Sequence, residues 1–227
     1  MTEEEWQECE YPGPMVSFLR NKVSVRKLRL FFCACCRSIW HVLDEPFLRR
    51  AVETAERHAD GQAPDAELGA MQRELLLGPR FARPNARAEA VEPTVTQGVF
   101  HVGSLFAVAD LAYIEVTRQL FEQGRMHNPP DTRKRIQRSH AALLRCVVGP
   151  LPFRTVPLNP AWLAWNDRTV LRLAQAVYDD RAFDRLPILA DALEEAGCAE
   201  ADILGHLRGP GPHARGCWVV DLLLTKN

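Results

Sequence analysis

Punctuation constrains this chain most: nearly every stretch with helical apolar spacing begins at a residue that caps a helix and stops at one that ends it. Thr2 followed three residues later by Glu5 is a capping box, in which each side chain satisfies the other's free backbone N–H. Ser24 stands before "LRLFFCACCRSIWHVL", and Asp44 with Pro46 opens "EPFLRRAVETAERHAD", which Gly61 can end in a left-handed conformation. Asp65 precedes "AELGAMQRELLL", stopped by Gly78-Pro79; Asp131 precedes "TRKRIQRSHAALLRCVV", stopped by Gly149-Pro150. Asn159-Pro160 and Asn166-Asp167 start two more helices, and Gly197 ends "LPILADALEEA". Val170, Leu171, Leu173, Ala174 and Val177 carry the spacing of a buried helix stripe.

Strand signals are few. "PTVTQGVFHVGSLF" is rich in β-branched residues and admits at most a minor hairpin near 93–103, while "CWVVDLLL" fits a short strand or a last helix. The expectation is therefore an all-α protein, a multi-helix bundle of one or two helical subdomains. Its N-terminal portion spans 1–148, with an exposed linker near 78–96 where prolines cluster, and its C-terminal portion spans 149–227.

Composition sets the class. The 227 residues are 47% hydrophobic and 25% charged with a net charge of −1, enough apolar material for a core and no global field toward nucleic acid or membrane. No apolar run reaches the roughly 20 residues of a membrane span, and "MTEEEWQECE" lacks the plan of a secretory signal. Seven cysteines, an odd number without framework spacing, fit a reducing cytoplasm. Charge is locally uneven. Arg26, Arg29 and Arg37 in 17–37, and Arg133, Lys134 and Arg138 in 131–145, form two basic surfaces that could meet phosphates, and 179–204 is acidic.

The cysteine-rich helix has a core face of Leu28, Phe31, Cys35, Ile39 and Val42 when residues advance about 100° each. Cys35 then behaves as a small buried hydrophobe. Cys33 falls at the polar edge beside Arg29 and Arg37, the place for a reactive thiol. A second group, Cys198, His206, His213 and Cys217 in "GCAEADILGHLRGPGPHARGC", has the ligand types of zinc, although its gaps match no paired-knuckle zinc module. No P-loop, dinucleotide fingerprint, G-x-S-x-G or H-E-x-x-H is present, so no catalytic residue is assigned.

"KLRLFFCACCRSIWHVL", "AVETAERHADG" and "HLRGPGPHARGCWVVDLLL" together resemble a large bacterial paralogous family of uncharacterised helical proteins, whose members open with a "KLRLFA-ACCR-IW" helix and close with a "GPH-RGCW--DLLL" tail. The likeness covers most of 1–61 and 140–227, and departs at "GPLPFRTV", where such proteins often have "GNPFRP". "RLPILADALEEAGCAEADIL" is similar to the repeat-companion module, a helical hairpin, with Leu189, Ala190, Asp191, Leu193, Glu194, Glu195 and Gly197 at matching positions. The resemblance implies a helical interaction or scaffold protein without catalysis. The functional expectation is thus a cytoplasmic, non-enzymatic module with a protein partner and no cofactor. The alternatives are a zinc- or thiol-dependent enzyme or sensor using the Cys/His tail, and nucleic-acid binding through the basic helices.

Overall fold

A computed structural model describes residues 1–77, 86–96, 112–114, 118–119, 122 and 131–226. The protein is all-α: among the described residues there are helices, turns and loops but no strand. "CWVVDLLL" is accordingly helical. The chain divides into two compact units, Met1–Ala141 and Ala142–Asn227, a boundary that falls inside a helix rather than at the expected 148/149 junction.

In the first unit, α1 (Glu3–Glu8), α2 (Pro12–Leu19), α3 (Val25–Ser38), α4 (Pro46–Ala59), α5 (Asp65–Leu77) and α6 (Ala86–Val95) follow in order. The capping box forms as its residues dictate: Thr2 Oγ1 accepts from the Glu5 backbone and Glu5 accepts from the Thr2 backbone. The Ser24 hydroxyl likewise accepts from Lys27 N–H at the start of α3. Helices α3, α4 and α6 pack against one another, with α5 laid on α4 and α6. Because α3 has neighbours on more than one side, every residue from Lys27 to Cys36 is buried.

Two sequence expectations change here. The linker near 78–96 is, over its described part, the helix α6, whose Ala88, Ala90, Val91, Val95 and Pro93 are buried. The alanines and valines supply an apolar surface that the proline count obscured. The hairpin near 93–103 is replaced by helix as far as Val95, and 97–103 lie outside the described residues.

The second unit begins within α7 (Thr132–Val148) and continues through α8 (Pro160–Asp180), α9 (Leu186–Glu195), α10 (Ala201–Arg208) and α11 (Trp218–Leu223). Asn159 caps α8, accepting from Ala161 N–H with Pro160 in the first turn. Asn166, Asp167 and Arg168 interrupt α8 with three left-handed residues in succession, so the pair Asn166-Asp167 marks a break and restart. Beyond it Val170, Ala174, Val177 and Tyr178 face the core. Leu186, Leu189, Ala190 and Leu193 of α9, Ile203 and Leu207 of α10, and Trp218, Val219, Val220 and Leu223 of α11 complete it. Helix α9 packs on α8 and α10, and α11 on α8 and α10.

Candidate metal centre

The core of the second unit includes Cys146, from the last turn of α7, and Cys217, at the N-cap of α11. Beside them stand His206, on α10, and His213, in the turn that joins α10 to α11. One ligand atom from each of the four lies within 4.8 Å of the others. His206 Nε2 is 3.2 Å from Cys217 Sγ, and His213 Nδ1 is 3.7 Å from Cys146 Sγ. In a tetrahedral zinc site with bonds of roughly 2.3 Å to sulfur and 2.0–2.1 Å to nitrogen, the ligand S and N atoms stand about 3.6 Å apart. These four residues can therefore hold a metal ion.

Local sequence explains how the group converges. Gly149 terminates α7 in a left-handed conformation (φ 67°), and its N–H bonds to Arg145 O at 2.8 Å, which fixes the helix end that carries Cys146. Past α10 the chain reverses through Gly209-Pro210-Gly211-Pro212, where Gly211 has φ 81°. A Cβ at Gly211 would stand 3.1 Å from the His213 backbone nitrogen and 3.2 Å from its ring. The second ring nitrogen of His213 faces Gly209 O at 3.3 Å. That contact leaves Nδ1 for the centre, as outer hydrogen bonds commonly do for metal-binding histidines. The His206 and His213 rings meet edge to face, 5.0 Å apart at 86°.

The sulfur of Cys217 is poised as a thiolate. Burial would push the Cys217 thiol up, but hydrogen bonds from Cys146, His206 and His213 hold it well below the ordinary thiol range. Burial would also pull His213 down, yet the Cys217 sulfur beside it keeps it above the usual imidazole value. Together the shifts describe a Cys217 thiolate paired with a His213 imidazolium; the thiolate is the form that ligates, and an incoming ion would displace the imidazolium proton.

Of the tail residues singled out in the sequence, His206, His213 and Cys217 come together and Cys198 does not. Cys198 follows Gly197 at the end of α9, where its N–H bonds to Leu193 O and its side chain is buried in the core. Cys146 takes the place expected of it. The reactive-thiol expectation for Cys33 is also corrected: Cys33 is 1% exposed, and burial, then the nearby Glu56 and Cys36, push its thiol well up. Cys35 and Cys36 are buried and shifted the same way, chiefly by burial.

The basic stripe of α3 turns inward. Arg29 is 3% exposed and donates to Thr94 O and Thr96 O. Arg37 holds Glu56 through two hydrogen bonds, and Arg26 pairs with Asp60 at 3.2 Å. On α7, Arg138 pairs with Glu10 at 2.7 Å, Lys134 lies 4.0 Å from Asp131, and Arg133 lies over the Tyr113 ring. The first of the two basic surfaces is therefore an internal set of ion pairs and hydrogen bonds.

Among the described residues no helix is long and apolar enough to cross a membrane. No protein-family model, curated protein or solved structure matches the chain.

Proposed function

We propose that this is a non-enzymatic zinc-binding protein in which Cys146, His206, His213 and Cys217 hold one Zn²⁺ as a structural staple of the second unit. The observation that carries this reading is the convergence of two sulfurs and two imidazole nitrogens, with no carboxylate, at separations suited to a tetrahedral ion. Four protein ligands leave no open position for water or substrate, which is the mark of structural rather than catalytic zinc. All seven cysteines are free, which is consistent with a reducing compartment such as the cytoplasm. With the ion closed in, the molecule meets others through its helical surface, and a protein partner remains the proposed role.

Elemental analysis of the untagged, dialysed protein tests the reading. One zinc per chain is expected, exchangeable for Co²⁺ with the intense visible bands of a tetrahedral thiolate site. Protein that stays zinc-free after expression in zinc-supplemented medium, and binds none in titration, would overturn it.

A further inference from the structure

The ligands alone do not explain why three of them meet. The indole of Trp218 occupies the space a side chain at position 149 would need: an ideal Cβ on Gly149 would stand 2.4 Å from Cγ, 2.7 Å from Cδ2 and 2.8 Å from Cδ1 of that ring. Gly149 lies three residues past Cys146, at the end of the same helix, and Trp218 directly follows Cys217. The indole in turn packs on the His206 ring, with centroids 5.5 Å apart and planes at 54°. The His206 ring thus contacts both the Trp218 indole and the His213 ring.

On this basis we infer that Gly149 and Trp218 are positioning residues of the metal centre, a seat and wedge that bring Cys146, Cys217 and His206 to tetrahedral spacing and so set its selectivity for zinc over ions that prefer square-planar ligands. The inference rests on the zinc reading above. Only glycine satisfies both demands at position 149, since its φ of 67° disfavours any side chain and the indole leaves no room for one. Divalent affinity otherwise rises toward Cu²⁺ across the first-row series, so selectivity must come from imposed geometry. A His206 ring packed against both Trp218 and His213 helps impose it, and loss of outer-shell support for a ligating histidine typically changes metal affinity about 10–100-fold.

The test compares wild type with Trp218→Phe and Gly149→Ala. Zinc and nickel affinities are measured by competition with a chromophoric chelator, and the Co²⁺ spectrum of each protein is recorded alongside helicity and melting. The expected result is a roughly 10–100-fold loss of zinc affinity in Trp218→Phe. A weakened tetrahedral Co²⁺ signature and a narrowed zinc-to-nickel preference should accompany it, while helicity is retained. If Gly149→Ala does not fold, Trp218→Phe decides. A Trp218→Phe protein that binds zinc within twofold of wild type, with an unchanged Co²⁺ spectrum, overturns the positioning role while leaving the zinc reading intact. Wild type that binds no zinc overturns both.

Discussion

The guanidinium of Arg29 closes the end of α6, a helix 65 positions further along the chain: it donates to Thr94 O at 2.5 Å and to Thr96 O at 3.1 Å. Carbonyls in the last turn of a helix have no partner within it, and a planar fork can satisfy two at once. Arg29→Met should destabilise the first unit by about 1.5–3 kcal/mol, since hydrogen bonds from a charged donor are lost at a buried site. Arg29→Lys should recover only part of this, because an ammonium has no fork. Urea unfolding followed by tryptophan fluorescence checks both.

Arg37 and Glu56 form the complementary case, a buried carboxylate gripped at 3.2 and 2.7 Å. Glu56 is 2% exposed, so Arg37→Met removes two charged hydrogen bonds from a buried carboxylate and should cost about 1.5–3 kcal/mol. Arg37→Met with Glu56→Leu should cost less than the two single changes added together, because the interaction they share is lost only once. A double-mutant cycle in which the pair cost adds would contradict this.

His140 links stability to pH. It is buried, its Nδ1 has no hydrogen-bond partner among the described residues, and burial pulls its pKa down to about 4 from an ordinary value of 6.5. Between those values the unfolded chain binds a proton that the folded chain refuses. Stability is therefore full above pH 6.5 and declines as pH falls toward 4, with a limiting slope of about 1.4 kcal/mol per pH unit from this group. Comparing denaturation of wild type and His140→Leu at pH 7 and pH 5 isolates the effect: the difference in stability between the two proteins should shift in favour of the variant at the lower pH.

The two cysteines that exchange places make the sharpest test of the centre. Cys146→Ser should lose zinc, whereas Cys198→Ser should retain it and show only a packing cost. Zinc affinity of the wild type should fall as pH drops, by about tenfold per pH unit for each proton the ligands release on binding. Equal zinc content in Cys146→Ser and wild type would remove Cys146 from the site.

Thiol labelling distinguishes the α3 cysteines. Cys9, partly exposed, should react first with an alkylating reagent in the native protein, and Cys33, Cys35 and Cys36 should react only on unfolding. Rapid native labelling of Cys33 would restore the sequence expectation.

Local grammar was legible, and partners across the fold were not. Thr2, Ser24 and Asn159 cap helices as their side chains dictate, because a cap is decided within three residues. A helical wheel puts Arg29 in solvent because it assumes one free face, whereas α3 has neighbours where its polar stripe should meet water. Cys146 was missed for a related reason. The arginines dominate the sequence pattern of its helix, and nothing local ties it to a histidine 67 positions away. The usable signal was the glycine that ends α7 three residues later, which places that thiol at a helix terminus rather than mid-surface.

The spread of the four proposed ligands along the chain would have a kinetic consequence. His206 and Cys217 are 11 positions apart, whereas Cys146 and His213 are 67 apart. Closing the longer loop costs about 1.6 kcal/mol more in chain entropy than closing the shorter one. A metal ion meeting the unfolded chain would therefore be caught first by His206, His213 and Cys217. Cys146 would join only after α8 and α9 had packed and carried the end of α7 back to the tail. The second sulfur would then arrive late, and the sulfur-to-metal charge-transfer band of a cobalt-loaded chain would rise in two phases, the slower one timing the closure of the second unit's core.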